Sequence, residues 1–375
     1  MKMIDTIKLA IPINDSQDLS KVAFETPLNA VRIGSTSYFR TFRNPIPAER
    51  RLGIYRPRLT FIRRPTGIDK SINMLLVEMS LPKLIFGNNF EEIAENDFET
   101  IISLLTRNLK EMGAPITPEQ IRKASVVKVD LCKNIILPEY VSVPSITNQI
   151  RKADISMIYD PDYTKFRNGG HIFHVHCNTS DIVFYDKVAD LRQGKISEKR
   201  GFEQDYYVQT KLLKVLQQNK RDILRVEVRL NSKKKIRAEL KAIGIDCEDL
   251  TFENIFRAEL AKGILFSHWN KIFKTIPKIL LDSDSPEQLF YRIIKDNKIT
   301  PQKALAKLGF ILLEGQCEDS RQLRNVIENR FSRSTWAGLR KAREPPNKTQ
   351  LKTLLYIGRV ISEAKTLRSS EIGLD

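Results

Sequence analysis

The chain has 375 residues, with 62 Lys and Arg against 45 Asp and Glu, a formal charge of +17 at neutral pH on an ordinary apolar content of 41%. That length holds a sizeable core or two domains, and a positive excess of this size points to a polyanionic partner, nucleic acid ahead of an anionic membrane surface. No run of about 18 apolar residues is present to span a bilayer. The start Met1-Lys2-Met3-Ile4-Asp5 lacks a secretion-signal profile, and Cys132, Cys177, Cys247 and Cys317 are too scattered for a zinc ribbon or disulfide scaffold. A reduced, cytoplasmic protein is expected.

Residues 3–11 read as a strand, Thr6 and Lys8 alternating with Ile7, Leu9 and Ile11 until Pro12 stops it. Residues 14–58 show little periodicity. Between residues 38 and 64, however, Arg40, Arg43, Arg50, Arg51, Arg56, Arg58, Arg63 and Arg64 interleave with Tyr38, Phe39, Phe42, Tyr55 and Phe61. Guanidinium forks on phosphates, with rings under bases, are a common way to hold a single strand; a solvated basic loop is the plainer alternative. Arg40, Arg43, Arg63 and Arg64 are the DNA-binding candidates from this stretch. Residues 59–63 and 73–79 read as further strands, the second with Glu78 on the face opposite Leu75, Val77 and Met79. Residues 98–112 carry Ile101, Leu104, Leu105 and Leu109 at helical spacing, and Gly113 ends the pattern. Thr117-Pro118-Glu119-Gln120 opens a short helix with Thr as cap and Pro in the first helical position. Residues 126–131 return to strand, with Lys128 and Asp130 opposite Val127, Val129 and Leu131, and residues 145–153 are predicted helical.

Two runs rich in β-branched and aromatic residues then flank the turn cluster Asn178-Thr179-Ser180-Asp181, the signature of a β-hairpin. Pairing Cys177 with Ile182 sets His174 opposite Tyr185 and His176 opposite Val183. His174, His176, Tyr185 and Lys187 then share one face, while Phe173, Val175, Cys177, Ile182 and Phe184 share the core face. Three of the four histidines lie between positions 171 and 176. Neutral imidazoles bind Mn, Fe, Ni, Cu and Zn whereas Mg prefers oxygen, so a nuclease centre here mixes His with carboxylates. A phenol with a pKa of about 10 is almost wholly protonated near pH 7, so Tyr185 needs a cation beside it to act as a nucleophile, and Lys187 is the candidate. A solvent-facing Tyr and two His are the plainer reading.

Residues 202–218 read as a helix and 222–230 as a strand, with Leu224, Val226, Val228 and Leu230 inward and Arg225, Glu227 and Arg229 outward. That row is either a surface ion ladder of small worth or a carboxylate aimed at a metal between two phosphate-binding cations. Strand parity lets Asp130, Glu227 and Glu78 join His174 and His176 as metal ligands. Arg225, Arg229, Lys233 and Lys234 complete the DNA-binding candidates. Beyond Lys235 the pattern is helical over 235–242, 252–272, 286–295 and 300–312, again from Asp319 or Ser320, and over 332–343 and 350–365. Such short helices with basic ends suit a helix-turn-helix reader and suit plain packing equally. The expected fold is α+β: an antiparallel sheet with flanking helices over residues 1–232, then a mainly helical region over 233–375 that binds DNA or packs. No glycine fingerprint for ATP or NAD is present.

Several of these segments together resemble a known family. They are Met3-Ile4-Asp5-Thr6-Ile7-Lys8-Leu9, Val77-Glu78-Met79-Ser80 with Gly87, Lys128-Val129-Asp130-Leu131, Ile182-Val183-Phe184-Tyr185-Asp186-Lys187-Val188-Ala189-Asp190-Leu191 and Leu224-Arg225-Val226-Glu227-Val228-Arg229. With a looser likeness over 304–336, the chain resembles the rolling-circle replication initiators of filamentous bacteriophages, which nick and close single strands. The related plasmid initiators also show a Tyr-x-Lys strand followed by such an acidic strand. The resemblance implies a nicking-enzyme-like sheet and a nucleophile at Tyr185 that attacks one phosphodiester of single-stranded or supercoiled origin DNA. It further implies a 5′-phosphotyrosyl link, a free 3′-OH for host polymerase and helicase to work from, and later resealing. Lys187 is then beside the phenolate or the phosphate. Mg or Mn polarises the phosphate, and the covalent link keeps the bond energy for religation. One feature departs from the family: His174-Val175-His176 matches the His-hydrophobic-His pair of the wider nicking-enzyme class, whose tyrosine usually lies on a downstream helix. Tyr207 or Tyr206 fits that order, with Lys211 one turn from Tyr207. A mobilisation relaxase and a non-catalytic, sequence-specific DNA-binding regulator are the alternative functions.

Overall fold

A computed structural model of the chain describes residues 3–14, 17–25, 31–33, 36–44, 49, 54–67, 70–138, 141–159, 161, 163–167, 170–192, 222–276, 290, 293–294, 299–316, 320–341 and 352–368. Ten strands form one sheet: β1 Ile4–Ile13, β2 Val31–Ile33, β3 Thr36–Arg43, β4 Arg58–Gly67, β5 Lys70–Ser80, β6 Ser125–Ile136, β7 Tyr163–Arg167, β8 Ile172–Cys177, β9 Ser180–Asp186 and β10 Ile223–Leu230. Their spatial order is β2-β3-β4-β5-β1-β6-β10-β9-β8-β7, with every neighbouring pair antiparallel. The fold is therefore α+β, as the alternating patterns imply, with β6 held between β1 and β10 at the centre.

Period-two alternation gives the sheet two unlike faces. Ile7, Leu9 and Ile11 of β1, Val77 and Met79 of β5, Val129 and Leu131 of β6, and Leu224, Val226 and Val228 of β10 lie buried in one continuous core. Side chains from the helices Phe98–Glu111, Val143–Arg151, Lys233–Ala242, Ala258–Thr275 and Lys352–Glu363 complete that core. Each buried Ile, Leu or Val contributes roughly 1.5–3 kcal/mol by leaving water. The opposite face is left to Thr6, Lys8, Glu78, Lys128, Asp130, Glu227 and Arg229.

Local signals decide several element ends. Thr117 caps the helix Pro118–Arg122 by accepting from the Gln120 amide, while Gln120 Oε1 accepts from the Thr117 amide at 3.0 Å. Gly113 has φ +87, and a Cβ there would lie 2.7 Å from the Lys21 backbone, so only glycine ends the preceding helix in this way. The helix expected over 252–272 is two helices, Phe252–Ile255 and Ala258–Thr275, with Arg257 extended between them. The break lets Phe252 and Phe256 both pack on Phe98, at 5.2 and 4.7 Å between ring centroids.

The boundary expected at residue 232 does not divide the core: Ile236, Leu240, Leu265, Trp269, Ile357 and Ile361 pack with the sheet. Residues 299–341 instead have two small clusters, one around Ala304, Leu308 and Ile311 and one around Leu323, Ile327 and Trp336. The helix expected over 202–218, with Tyr206, Tyr207 and Lys211, lies outside the described residues, as does most of 286–295. Among the described residues no helix is long and apolar enough to cross a membrane.

Candidate functional site

The hairpin that carries the histidines has a shorter turn than its composition suggests. Cys177 pairs with Ser180, so the loop is Asn178-Thr179 alone, and His176 lies opposite Asp181, His174 opposite Val183, and Ile172 opposite Tyr185. The expected pairing of His174 with Tyr185 is thus off by two positions. A two-residue shift preserves which face each side chain occupies, so His174, His176 and Tyr185 still share the polar face, now with Asp181 among them. β10 continues the rows: Arg225 lies beside Tyr185, Glu227 beside Val183, and Arg229 beside Asp181. On β6 the same rows reach Asn134, Cys132 and Asp130, and Thr6, Lys8 and Glu78 extend the face across β1 and β5.

Tyr185 is half-buried. Burial raises its phenol well above the ordinary value, against the opposing charge of Arg225. Lys187, the first residue of the helix Lys187–Arg192, is 0% exposed; its Nζ lies 5.8 Å from the centre of the Tyr185 ring and 3.4 Å from Asp190. Burial first, and then the charge of Arg225, bring the Lys187 ammonium down to about 8. The protonated phenol and this easily deprotonated amine are the two groups expected from the Tyr-x-Lys strand.

Arg225 is not a solvent-facing cation. It is 1% exposed, donating to Asp5 Oδ1 at 2.6 Å, to the Asn89 carbonyl at 2.7 Å and to Cys132 Sγ at 2.9 Å. The cover comes from residues 88–93, which run beside β6 where β1 has ended. The Asn134 amide donates to Glu92 Oε1 at 2.7 Å, and Glu92 forms a buried ion pair with Lys133 at 2.8 Å. Arg225 therefore ties Asp5 and Asn89 to the row of Tyr185, its cross-strand neighbour, and its reading as an outward, DNA-binding cation is corrected. Arg43 is likewise buried, on Glu49 at 2.9 Å and on the Asn44 carbonyl, which removes it from the DNA-binding set. Arg63, Arg64 and Lys234 are exposed and Lys233 is half-buried; the side chain of Arg40 lies outside what is described. Arg229 remains partly exposed on the polar face, donating from Nε to Glu227 at 2.7 Å.

The carboxylates expected as ligands fall into two places. Asp130 and Glu227 are 7% and 4% exposed, on the adjoining strands β6 and β10. Burial pushes Asp130 up to about 7, Lys128 opposes, and the charge of Glu227 adds to the rise. Glu227 is held below its ordinary value by Arg229 and Arg225 in spite of burial. Asp130 Oδ1 is buried with no hydrogen-bond partner among the described residues, while Oδ2 lies 3.4 Å from Lys128. Glu78 stands further along the face with Lys8 at 2.9 Å and Lys128 at 3.6 Å.

His174 and His176 converge on Asp181 rather than on those acids. His174 Nε2 lies 2.7 Å and His176 Nδ1 2.5 Å from Asp181 Oδ1, and Asn231 donates to Oδ2 at 2.9 Å. Burial acts to raise Asp181, but these hydrogen bonds outweigh it and hold the carboxyl well below the usual range. The residue missed from the sequence is Asp181, absorbed into an apparent four-residue turn; an Asn-Thr pair acting as a two-residue loop is the signal that would have found it. Asp5, the anchor of Arg225, was also missed. The remaining histidine of the hairpin, His171, pairs with Asp186 at 2.9 Å. In the comparisons with known proteins, no family model matches the chain, and neither a curated protein nor a solved structure shows significant similarity to it.

Proposed function

We propose that the protein is a metal-dependent enzyme that nicks and rejoins one DNA strand, starting rolling-circle replication of a phage or plasmid, with Tyr185 as nucleophile. The observation that carries this reading is that Tyr185 on β9, with the buried Lys187 ammonium 5.8 Å from its ring centre, shares the polar face with Glu227 on β10 and Asp130 on β6. A hard divalent ion fits the acid pair: Asp130 Oδ1 is buried without a partner, and two carboxylates in a cationic setting form an oxygen donor set for Mg or Mn. When bound, such an ion supplies charge to the phosphate oxygens. Asp130 and Glu227 would hold it.

The chain's own groups do the rest. Lys187, neutral in part near pH 8, accepts the phenol proton of Tyr185. The freed oxygen bonds to phosphorus as the bond from phosphorus to the 3′ oxygen breaks, and that oxygen takes up a proton. Resealing runs the same steps backward. Arg225, tied to Asp5 and Asn89, keeps Tyr185 in register and favours its ionised form. Exposed Arg63, Arg64 and Lys234 supply phosphate contacts.

The experiment is incubation of the protein with supercoiled DNA of its own replicon and Mn²⁺. The expected products are open circles and a covalent protein–DNA adduct that survives denaturation. Tyr185→Phe abolishes the adduct. A mobility shift without open circles would identify a DNA-binding regulator instead, and an adduct that survives Tyr185→Phe but not Tyr207→Phe would move the nucleophile.

A further inference from the structure

Two irregular stretches far apart in the chain, residues 87–92 and 364–368, lock together beside β6 and over Arg225. Glu92 is the joint. Its Oε2 accepts from the Leu367 amide at 2.9 Å and its Oε1 from the Asn134 amide at 2.7 Å. Lys133 Nζ, 2.8 Å from Glu92, also donates to the Lys365 carbonyl at 2.9 Å. Arg368 closes the far end, 3.1 Å from Asp97 and 4.5 Å from the centre of the Phe86 ring. We propose that the two stretches form one latch over the tyrosine centre, which opens and closes as a unit to admit and release a strand. The passage of a strand rests on the nicking reading; the joint opening does not.

Packing sets the latch apart from the rest of the fold. Phe90 and Leu367 bury against Val188, Leu191 and Ile223 in a cluster separate from the main core. Ile93 and Ile361, just outside the two stretches, belong to that core. Unfastening the latch therefore uncovers a small satellite cluster and leaves the continuous core closed. Segments with few buried apolar contacts open at a lower free energy than the whole fold. Each stretch also starts at a left-handed residue. Gly87, which ends the helix Leu81–Phe86, has φ +67, and Ala364, which follows the helix Lys352–Glu363, has φ +57. An L side chain disfavours that conformation, so docking of 364–368 holds Ala364 against its own preference.

The latch holds groups that the chemistry above uses. The Asn89 carbonyl accepts from Arg225 at 2.7 Å, and the same guanidinium lies 2.9 Å from Cys132 Sγ, a thiol whose residue is 3% exposed. Val188 and Leu191, packed on Phe90 and Leu367, belong to the helix that begins with the fully buried Lys187. With the latch shut, Arg225 and Lys187 are fixed beside Tyr185 and kept from water; with it open, both lose part of their support. Closure of this kind completes a catalytic constellation, and opening sets the exchange of substrate and product.

The test is amide hydrogen exchange of the full chain read by mass spectrometry, with Cys132 as a chemical reporter in a chain whose Cys177, Cys247 and Cys317 are replaced by serine. Peptides covering 87–92 and 364–368 should share one protection, weaker than that of the helix Phe98–Glu111. Leu367→Ala should speed exchange in both stretches by about 30-fold or more, speed Cys132 labelling by a disulfide reagent with them, and leave Phe98–Glu111 within about threefold. Ala364→Gly should slow both stretches and the labelling by about threefold. Where circular dichroism shows that Leu367→Ala has not folded, Arg368→Ala carries the comparison, with a rise of about threefold in both stretches. The proposal is overturned if the folded variant speeds 364–368 without 87–92, if Cys132 labelling does not follow 87–92, if Ala364→Gly speeds exchange, or if both stretches exchange only together with Phe98–Glu111. Joint opening in a chain that forms no covalent DNA adduct keeps the latch and removes its strand; an adduct without joint opening does the reverse.

Discussion

Asp130→Asn tests the acid pair through stability alone. In the folded chain the Asp130 carboxyl is raised from 3.8 to about 7, mainly by burial and further by Glu227, with Lys128 and Arg229 opposing. About three pH units at roughly 1.4 kcal/mol each set a ceiling of about 4 kcal/mol on what ionising Asp130 costs the metal-free fold. The folded value exceeds the unfolded one, so from about pH 4 to pH 7 the native chain keeps a proton that the unfolded chain has released. The stability this proton contributes is intact below about pH 4 and is lost as pH rises through about 7, at a limiting slope of roughly −1.4 kcal/mol per pH unit. Asn has no proton to lose. Urea unfolding in the presence of a chelator, followed by tryptophan fluorescence, should show the variant gaining about 3 kcal/mol on wild type between about pH 5 and pH 8. Added Mn²⁺ should reverse the wild-type trend, because a ligand carboxyl must be ionised to bind. A variant-minus-wild-type difference that stays flat across this range would refute the picture of a protonated Asp130 beside an ionised Glu227.

Lys187→Met should slow nicking about 100-fold or more. It should also remove the limb of the pH–rate profile that rises toward about 8, since the amine accepts a proton only once it is neutral. Lys133→Met leaves Glu92 buried without its cation, 1% exposed, and should cost roughly 3–5 kcal/mol in chemical denaturation; adding Glu92→Leu should recover much of that loss. Arg64→Glu, on an exposed position of β4, should weaken binding to single-stranded DNA of any sequence and lower the slope of affinity against salt by about 0.7 for each phosphate it no longer neutralises. An unchanged slope would exclude that edge of the sheet from the DNA path.

How far the sequence reaches is set by which quantities are local. Period two is local: Ile7, Val77, Val129 and Val226 alternate with Lys8, Glu78, Asp130 and Glu227, and the sheet keeps that division across these four strands. Register is less local. The loop could be two residues or four on composition, and the difference of two kept every face while moving Asp181 from the turn into the site. Burial of an outward position is not local at all. Arg225 reads as solvent-facing from its own strand, and it is covered because residues 88–93 are fixed by Glu92 to Lys133 and to the Leu367 amide at 2.9 Å, far away in the chain. The helices Lys233–Ala242, Ala258–Thr275 and Lys352–Glu363 are legible as helices from their period, but a helical period does not say which surface its apolar face will cover, and theirs covers the sheet.

The same distinction separates the protein's charge from its chemistry. Near the centre of the polar face four described cations are committed to acids: Lys8 to Glu78, Lys128 to Glu78 and Asp130, Arg229 to Glu227, Arg225 to Asp5. Such a face exerts little long-range pull on a polyanion, because paired charges of opposite sign cancel beyond a Debye length of about 8–10 Å. Under the proposed function, the excess of +17 would act from exposed positions such as Arg63, Arg64 and Lys234 to draw DNA to the molecule. On that proposal the paired face would meet the strand only at contact distance, where each charge would act on a particular phosphate. Removing a rim cation should on this argument lower the association rate and its salt dependence, whereas breaking a pair on the face should leave association unchanged and alter the chemical step, a division that stopped-flow binding and single-turnover nicking would resolve on the same two variants, Arg64→Glu and Arg229→Gln.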